Sequence, residues 1–397
     1  MNSRVLIVDQ AVIRRSPAGS CVRAQVEGLL QQHRVTLLSA SCDLPPHPAL
    51  ERRAVPIVPR PVLLRYVSFQ VTARLAYLAH RLAQGRADLV QGTQGQLVGA
   101  DIVYAHFCHR AYLRGPWAAS GVTGARRWAR WLNHRFNAWC EARALRRAAC
   151  VVVPSRGLAQ EIRAEYPHCA AKTCVIPNPV DVEHYCRPPD FDRQGARSRL
   201  GVPDEAVLLS FAALGDFHRK GLGLLIDALA ALPRPHAGRT YLVVVGGKAG
   251  EIEAFRQHAK RAGVERQLRF VGFQDDVRPY LWASDVFVFP SSYETFSLVA
   301  HQAAAAGLPV MATRGLHGIE ELIEDSGAGW GVERSAEAVC RGLQEVLRMR
   351  PEELSTMGER ARQAVQRCHP EAFKTAWREL YGRMLVMRRT KPIRGTA

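Results

Sequence analysis

DVFVFPSSYETFSLVAHQAAAAGLPV, residues 285–310, reads as one strand followed by one short helix. The apolar run DVFVF ends at Pro290, and Ser297 is placed to cap a helix running from about Leu298 to Ala306. Gly307 supplies the C-terminal turn and Pro309 a stop just beyond it. Between strand and helix stands one exposed-looking acid, Glu294. Free N–H groups and the positive end of the helix dipole would let a phosphate sit against the backbone of Phe296, Ser297, Leu298 and Val299. Glu294 beside them could then accept hydrogen bonds from sugar hydroxyls. Gln302, about two turns along at roughly 12 Å, suits the other end of an extended ligand. The same local pattern also fits a capped helix with no ligand.

The strand-then-helix pattern extends in both directions. VLLSFAAL, YLVVVGG and LRFVGF precede this stretch, each followed by a helical segment. In the first half VLIV, VTLL, DLVQG, DIVYAH and CVVVPS alternate with helices in the same way. Such alternation predicts an α/β chain with two doubly wound, mostly parallel sheets. A length of 397 residues likewise predicts two domains, and therefore a cleft. NPVDVEHYCRPPDFDRQGARSRLGVPDE, from Asn178 to Glu205, is rich in proline and charge and reads as the linker. The expected domains are 1–185, 186–375 and a C-terminal segment 376–397, a helix crossing back to the first domain followed by a basic tail.

Composition narrows the function classes. Hydrophobic residues make up 47% and charged residues 23%, which is a folded, not a disordered, composition. Lys and Arg outnumber Asp and Glu 54 to 36, so the surface field favours an anionic partner: phosphate-bearing substrates, an anionic membrane surface or nucleic acid. The start, MNSRVLIVDQ, is too short an apolar run for a signal peptide, and no stretch approaches the roughly 20 apolar residues of a membrane span. A cytoplasmic protein is expected, peripheral on the inner face of the cell membrane if it meets a membrane at all. Ten cysteines lack a C-x-x-C pair, which argues for free thiols.

After the second half's first strand comes GDFHRKGLGLLIDAL, with Arg219 and Lys220 at the turn. A planar guanidinium fork and a point charge at a strand end can face a diphosphate, although an isolated pair can also be a solvated turn. Taken in order, F-x-R-K-G, GG, VGF and PSxxExF…GLPV, preceded by VVVPSRGLAQEI and CVIPNPVD, resemble the retaining glycosyltransferases of family 4. The resemblance covers nearly the whole chain. It implies a GT-B architecture, two Rossmann-like domains facing a cleft, and transfer of a sugar from a nucleotide-sugar donor to a saccharide or lipid-linked acceptor with retention of configuration.

The resemblance implies roles residue by residue. Arg219 and Lys220 would neutralise the departing diphosphate, Glu294 would contact the donor sugar, and the amides of Phe296, Ser297 and Leu298 would complete the cradle. The family commonly holds the ribose diol with a second acid where this chain has Gln302. An amide offers one uncharged acceptor oxygen, a loss of about 1 kcal/mol. The family's glycine pair near the start is reduced here to Gly19 followed by Ser20, and the histidine many members carry corresponds to His106. That imidazole could hydrogen-bond the transferred sugar or acceptor, or could be structural. His106, Cys108 and His109 are too close together for a metal site, and the family needs no metal, so neither metal nor cofactor is expected.

RRWARWLNHRFNAWCEARALRR, residues 126–147, interleaves tryptophan with arginine. It fits either an anionic membrane surface or a packed helix with its arginines in water. Nucleic acid lacks a supporting motif. Two other readings remain: a sugar-nucleotide epimerase of the same fold, and a degenerate, noncatalytic nucleotide-sugar-binding protein. Donor base, sugar, linkage and oligomeric state are not written in these motifs.

Overall fold

A computed structural model describes residues 3–233, 236 and 238–390. The basic tail expected beyond the last helix lies outside the described residues. The chain divides into two compact units. One holds the described residues of Met1–Trp117, Val122–Pro179 and Pro370–Ala397; the other holds Ala118–Gly121 and the described residues of Val180–His369.

The first unit is built on a seven-stranded parallel sheet. Its strands are β1 (Ser3–Val8), β2 (His33–Ser39), β3 (Leu50–Ala54), β4 (Leu89–Thr93), β5 (Ile102–Tyr104), β6 (Cys150–Val153) and β7 (Thr173–Val175). The spatial order is β3-β2-β1-β4-β5-β6-β7, the doubly wound order in which the chain runs outward from β1, then reverses at β4. VLIV and CVVV are wholly buried because helices cover both faces of a parallel sheet. β3, LERRA, was not legible as a strand: it is an edge strand whose charged side chains face solvent.

The helices that matter here are α1 (Pro17–Leu29), α2 (Val62–Gln84), α3 (His109–Arg114) and α4 (Gly124–Arg147). In the second unit they are α5 (Phe217–Lys220), α6 (Leu222–Ala230) and α7 (Leu298–Ala305), and the last helix, α8 (Pro370–Thr390), returns to the first unit. There α8 packs on α1 and buries Trp377 and Tyr381. The Tyr381 hydroxyl donates to Gln91 Oε1 at 2.7 Å, and the amides of Gln91 and Gln25 exchange hydrogen bonds of 2.7 and 2.8 Å. Every member of this buried polar cluster is thereby partnered, which fixes α8 in one register.

The second unit repeats the scheme with six parallel strands. They are β8 (Val207–Ala213), β9 (Thr240–Gly246), β10 (Leu268–Gly272), β11 (Val286–Phe289), β12 (Val310–Thr313) and β13 (Gly329–Val332), in the order β10-β9-β8-β11-β12-β13.

Residues 178–205 are not a free linker. From Val180 onward they belong to the second unit, and Arg197 is 1% exposed. Its guanidinium donates to Asp285 Oδ2 at 3.2 Å and to the carbonyls of Ala283, Pro203 and Ala206. Asp285 in turn accepts from the Leu208 N–H at 2.7 Å. A buried cation with this many acceptors is a structural clamp.

Candidate active site

In an open parallel sheet the loops after the strands gather on one edge, at the point where the strand order reverses. In the second unit these loops follow β8 and β11, neighbours in the sheet. The turn after β8 passes through Asp216 in the left-handed conformation, φ +61°, before the single turn of α5. Gly221 closes it at φ +84°, and a Cβ there would lie 2.1 Å from the Pro290 carbonyl oxygen, so only glycine lets this turn lie against the end of β11.

That close approach brings the cations to the acid. Lys220 Nζ lies 2.5 Å from Glu294 Oε1 and 5.0 Å from the centroid of the Phe289 ring. Arg219 donates to the Tyr293 carbonyl at 2.7 Å and to Asp216 Oδ2 at 2.9 Å, and stands 3.6 Å from Glu294. The Ser291 hydroxyl donates to Glu294 Oε1 at 2.8 Å. Burial lowers the Lys220 pKa, and the neighbouring Glu294 carboxylate opposes that shift. The lone exposed acid expected from sequence is therefore an ion-paired one whose side chain is only 9% exposed. Sequence reasoning missed Asp216, Ser291 and Tyr293. The carbonyl of Tyr293 leaves no trace in side-chain identity, and Asp216 and Ser291 resemble ordinary turn residues.

Ser297 does precede α7, but not as the capping hydroxyl expected. It adopts φ +61°, ψ +81°, makes no side-chain capping bond, and its Oγ is buried without a partner. The α7 helix is eight residues long and ends at Ala305. Its leading amides, with those of Phe296 and Ser297, follow directly on the Lys220–Glu294 pair in the chain. Gln302 lies half-buried on the same helix, next to the fully buried His301.

Gly19 and His106 belong to the first unit. Gly19 is in the first turn of α1, where its N–H donates to Ser16 Oγ at 3.2 Å and a Cβ would meet the Ala11 carbonyl oxygen at 1.8 Å. His106 follows β5 and packs on Tyr104 with ring centroids 4.0 Å apart. Burial lowers its pKa to about 3, so the ring is neutral. His109, three residues on, has its Nδ1 3.0 Å from His134 Nδ1, and its N–H donates to Glu141 at 3.1 Å. Among the described residues no group of three or more His, Cys, Asp or Glu side chains is arranged to hold a metal ion.

Comparison with known proteins places both halves of the chain among glycosyltransferases. The family model for glycosyl transferases group 1 matches residues 192–364, and that for glycosyltransferase family 4 matches residues 18–184. A lipopolysaccharide core biosynthesis glycosyltransferase, LpsE, of Rhizobium meliloti is 35% identical over 153 residues, 38% of this chain and 42% of that protein. A D-inositol 3-phosphate glycosyltransferase of Saccharomonospora viridis is 35% identical over 203 residues, 47% of this chain and 44% of that protein. The chain thus matches less than half the length of these relatives. Among solved structures, WaaG, a glycosyltransferase involved in lipopolysaccharide biosynthesis, superposes with a TM-score of 0.76 at 20% identity over 95% of this chain and all of that one. Anabaena HepE in complex with UDP-glucose superposes with a TM-score of 0.71, also at 20% identity, over 96% of this chain and all of that one. The fold is GT-B.

Proposed function

Because the chain belongs to glycosyltransferase family 4, we propose that it moves a glycosyl group from a nucleoside diphosphate sugar to a hydroxyl of a saccharide or lipid-linked saccharide, with retention of configuration. The observation that carries this reading is the Arg219–Lys220–Glu294 cluster at the carboxyl edge of the β8–β11 pair, directly ahead of α7. A diphosphate arriving there exchanges one set of anionic partners for another. Lys220 and Arg219 turn toward the phosphates, and Glu294, released from Lys220, accepts from hydroxyls of the donor sugar.

Charge that develops on the departing diphosphate is met by the two cations, once turned, and by the amides of Phe296, Ser297 and Leu298, which are held in place by the fold. The leaving phosphate oxygen takes the acceptor's proton as the new bond forms on the same face, so no protein base is required and the anomeric configuration is kept. Gln302 reads the ribose through its amide. In this reading His106 and Gly19 keep the roles that the family resemblance implies for them, and His106, being neutral, acts only by hydrogen bonding. No metal ion enters this scheme.

HepE carries UDP-glucose in its structure, which supports a nucleotide-sugar donor here. A thermal-shift screen of nucleoside diphosphates, followed by anomeric product analysis with the best donor, tests the reading. A bound nucleotide raises stability by mass action. No shift with any nucleotide, or an epimerised donor in place of a transferred sugar, would overturn it. Gln302 favours the degenerate, noncatalytic alternative, and for that reading binding without turnover is the deciding result.

The acceptor side is proposed to meet an anionic membrane surface through α2 and α4. The α2 helix is apolar on both faces: Phe69 and Ala73 are buried, while Leu64, Val71, Leu75, Leu78 and Leu82 are exposed on the opposite side. On α4, Trp128, Leu132 and Trp139 are exposed, with Arg143 4.5 Å over the Trp139 ring. The α2 sequence contains no acid, and the only acid of α4, Glu141, is buried. A second copy would bring arginines against arginines, whereas anionic headgroups complement them. Vesicles of phosphatidylglycerol should bind the protein in a salt-sensitive way that Leu75→Asp with Leu82→Asp abolishes; equal binding to phosphatidylcholine would sink this part.

A further inference from the structure

Ser297 holds a left-handed conformation that is strained for a residue with a side chain and readily adopted by glycine. Its own hydroxyl does not stabilise the turn, being buried without a partner. The support comes from one helical turn further on. His301 is fully buried, and its Nδ1 lies 3.0 Å from the Ser297 carbonyl oxygen. A carbonyl only accepts, so Nδ1 carries the proton and donates. The main-chain N–H of His301 donates to the same oxygen at 3.3 Å.

The ring also fixes the preceding residue. It stacks on Phe296 with centroids 4.0 Å apart and planes 10° from parallel. On Phe296's backbone rests Gly318, where a Cβ would come within 2.8 Å of the Phe296 Cα. Phe296 is thus held by the imidazole and by a close backbone contact. Burial lowers the His301 pKa to about 4, so the ring stays neutral, and its Nε2 is buried with no partner. A leucine would fill this space without leaving such an atom, so packing alone gives no reason for an imidazole.

We propose that His301 is a positioning residue for diphosphate binding: its Nδ1–H holds the Ser297 carbonyl and so keeps the strained turn that aims the amides of Phe296, Ser297 and Leu298 at the phosphates. Strain held in a turn by surrounding structure is a feature of ligand clamps. With Ser297 relaxed into the right-handed region, α7 would begin one residue earlier and the Phe296–Ser297 peptide would be re-aimed. The identity of the ligand rests on the donor-binding reading above; the latch itself rests only on His301, Ser297 and Phe296.

The test compares His301→Leu, similar in volume but without a donor, with His301→Asn, whose amide N–H reaches about where Nδ1–H does. Each is also made in a Ser297→Gly background, in which the turn no longer needs support. Calorimetry measures the affinity for the nucleoside diphosphate that gives the largest thermal shift, and for its nucleoside. His301→Leu should weaken the diphosphate about tenfold and leave the nucleoside within about twofold, while His301→Asn keeps most of the affinity. In the glycine background the leucine substitution should cost no more than about twofold, because interaction energies between contacting residues are not additive.

An unchanged diphosphate affinity in His301→Leu, a parallel loss for the nucleoside, or the same tenfold loss in both backgrounds would overturn the proposal. If the leucine variant does not fold, His301→Asn against His301→Gln makes the same comparison, since glutamine places its N–H near Nε2; equal affinities there would also overturn it. If wild type binds no nucleotide, the donor reading fails separately. Amide hydrogen exchange at Phe296–Leu298 then decides the latch, which requires faster exchange in His301→Leu.

Discussion

The two units share a strand order and differ in how they keep ionisable groups near the carboxyl edge of the sheet. The second unit pairs its charges: Lys220 and Arg219 on Glu294, and Arg219 on Asp216. The first unit suppresses them. Burial lowers the pKa values of His106 and His109 to about 3 and raises that of Glu141 to about 7. Asp9, at the end of β1, is likewise raised by burial. The lesson is that one topology supports two electrostatic regimes. Paired charges can be handed to an arriving anion, whereas neutral groups can only donate or accept hydrogen bonds.

Removing a paired cation should have the largest effect. Lys220→Ala leaves Glu294 without its closest cation, and kcat/KM should fall at least about a hundredfold, as for loss of a preorganised charge partner. Urea unfolding should also show a loss of about 3 kcal/mol, the cost of stranding a buried charge. Unchanged turnover would break the contrast at its strongest point.

The first unit answers to pH instead. Glu141 accepts from Tyr166 at 2.7 Å and from the His109 N–H, yet burial dominates and raises its pKa from 4.5 to about 7. The folded state then holds a proton that the unfolded state releases, so stability falls as pH rises from about 4.5 to 7 and is level above that. The change is about 3 kcal/mol, and Glu141→Gln should flatten it in denaturation curves taken across this range. A wild-type curve that rises over the same interval would contradict the suppression of charge.

His106 should behave as a neutral group throughout the working range. With its pKa lowered to about 3, kcat should show no break near pH 6.5 that His106→Gln removes. That substitution keeps a hydrogen-bonding amide and should cost less than about tenfold in kcat. The smallest effect belongs to Gln302→Glu, which adds a charged acceptor and should preserve donor affinity or tighten it by a few fold, about 1 kcal/mol. A large loss would show that the amide itself is required.

These contrasts were unevenly legible. Arg219, Lys220 and Glu294 stand out because turn residues sit at predictable offsets from apolar strands. The two sheets follow for the same reason. The role of Arg197 did not, since its composition-rich neighbourhood reads as loop while its partner Asp285 is far away in sequence. β3 was hidden by its charges, and β13, GWGV, by its glycines. His301 looked like one more residue on a helix. Only its depth and its reach back to Ser297 distinguish it, and both depend on tertiary packing.

The anchoring of α8 carries a consequence for synthesis. Trp377 and Tyr381 complete the interior of the first unit, and the Tyr381 hydroxyl shares Gln91 Oε1 with Gln25. Those residues are synthesised after the whole of the second unit. Until then, the first unit carries an open apolar seam along α1 and an amide pair short of one partner. Apart from the four residues 118–121, the second unit is continuous from Val180 to His369, so its own interior can close earlier. The first unit, begun before the second, is therefore sealed after it.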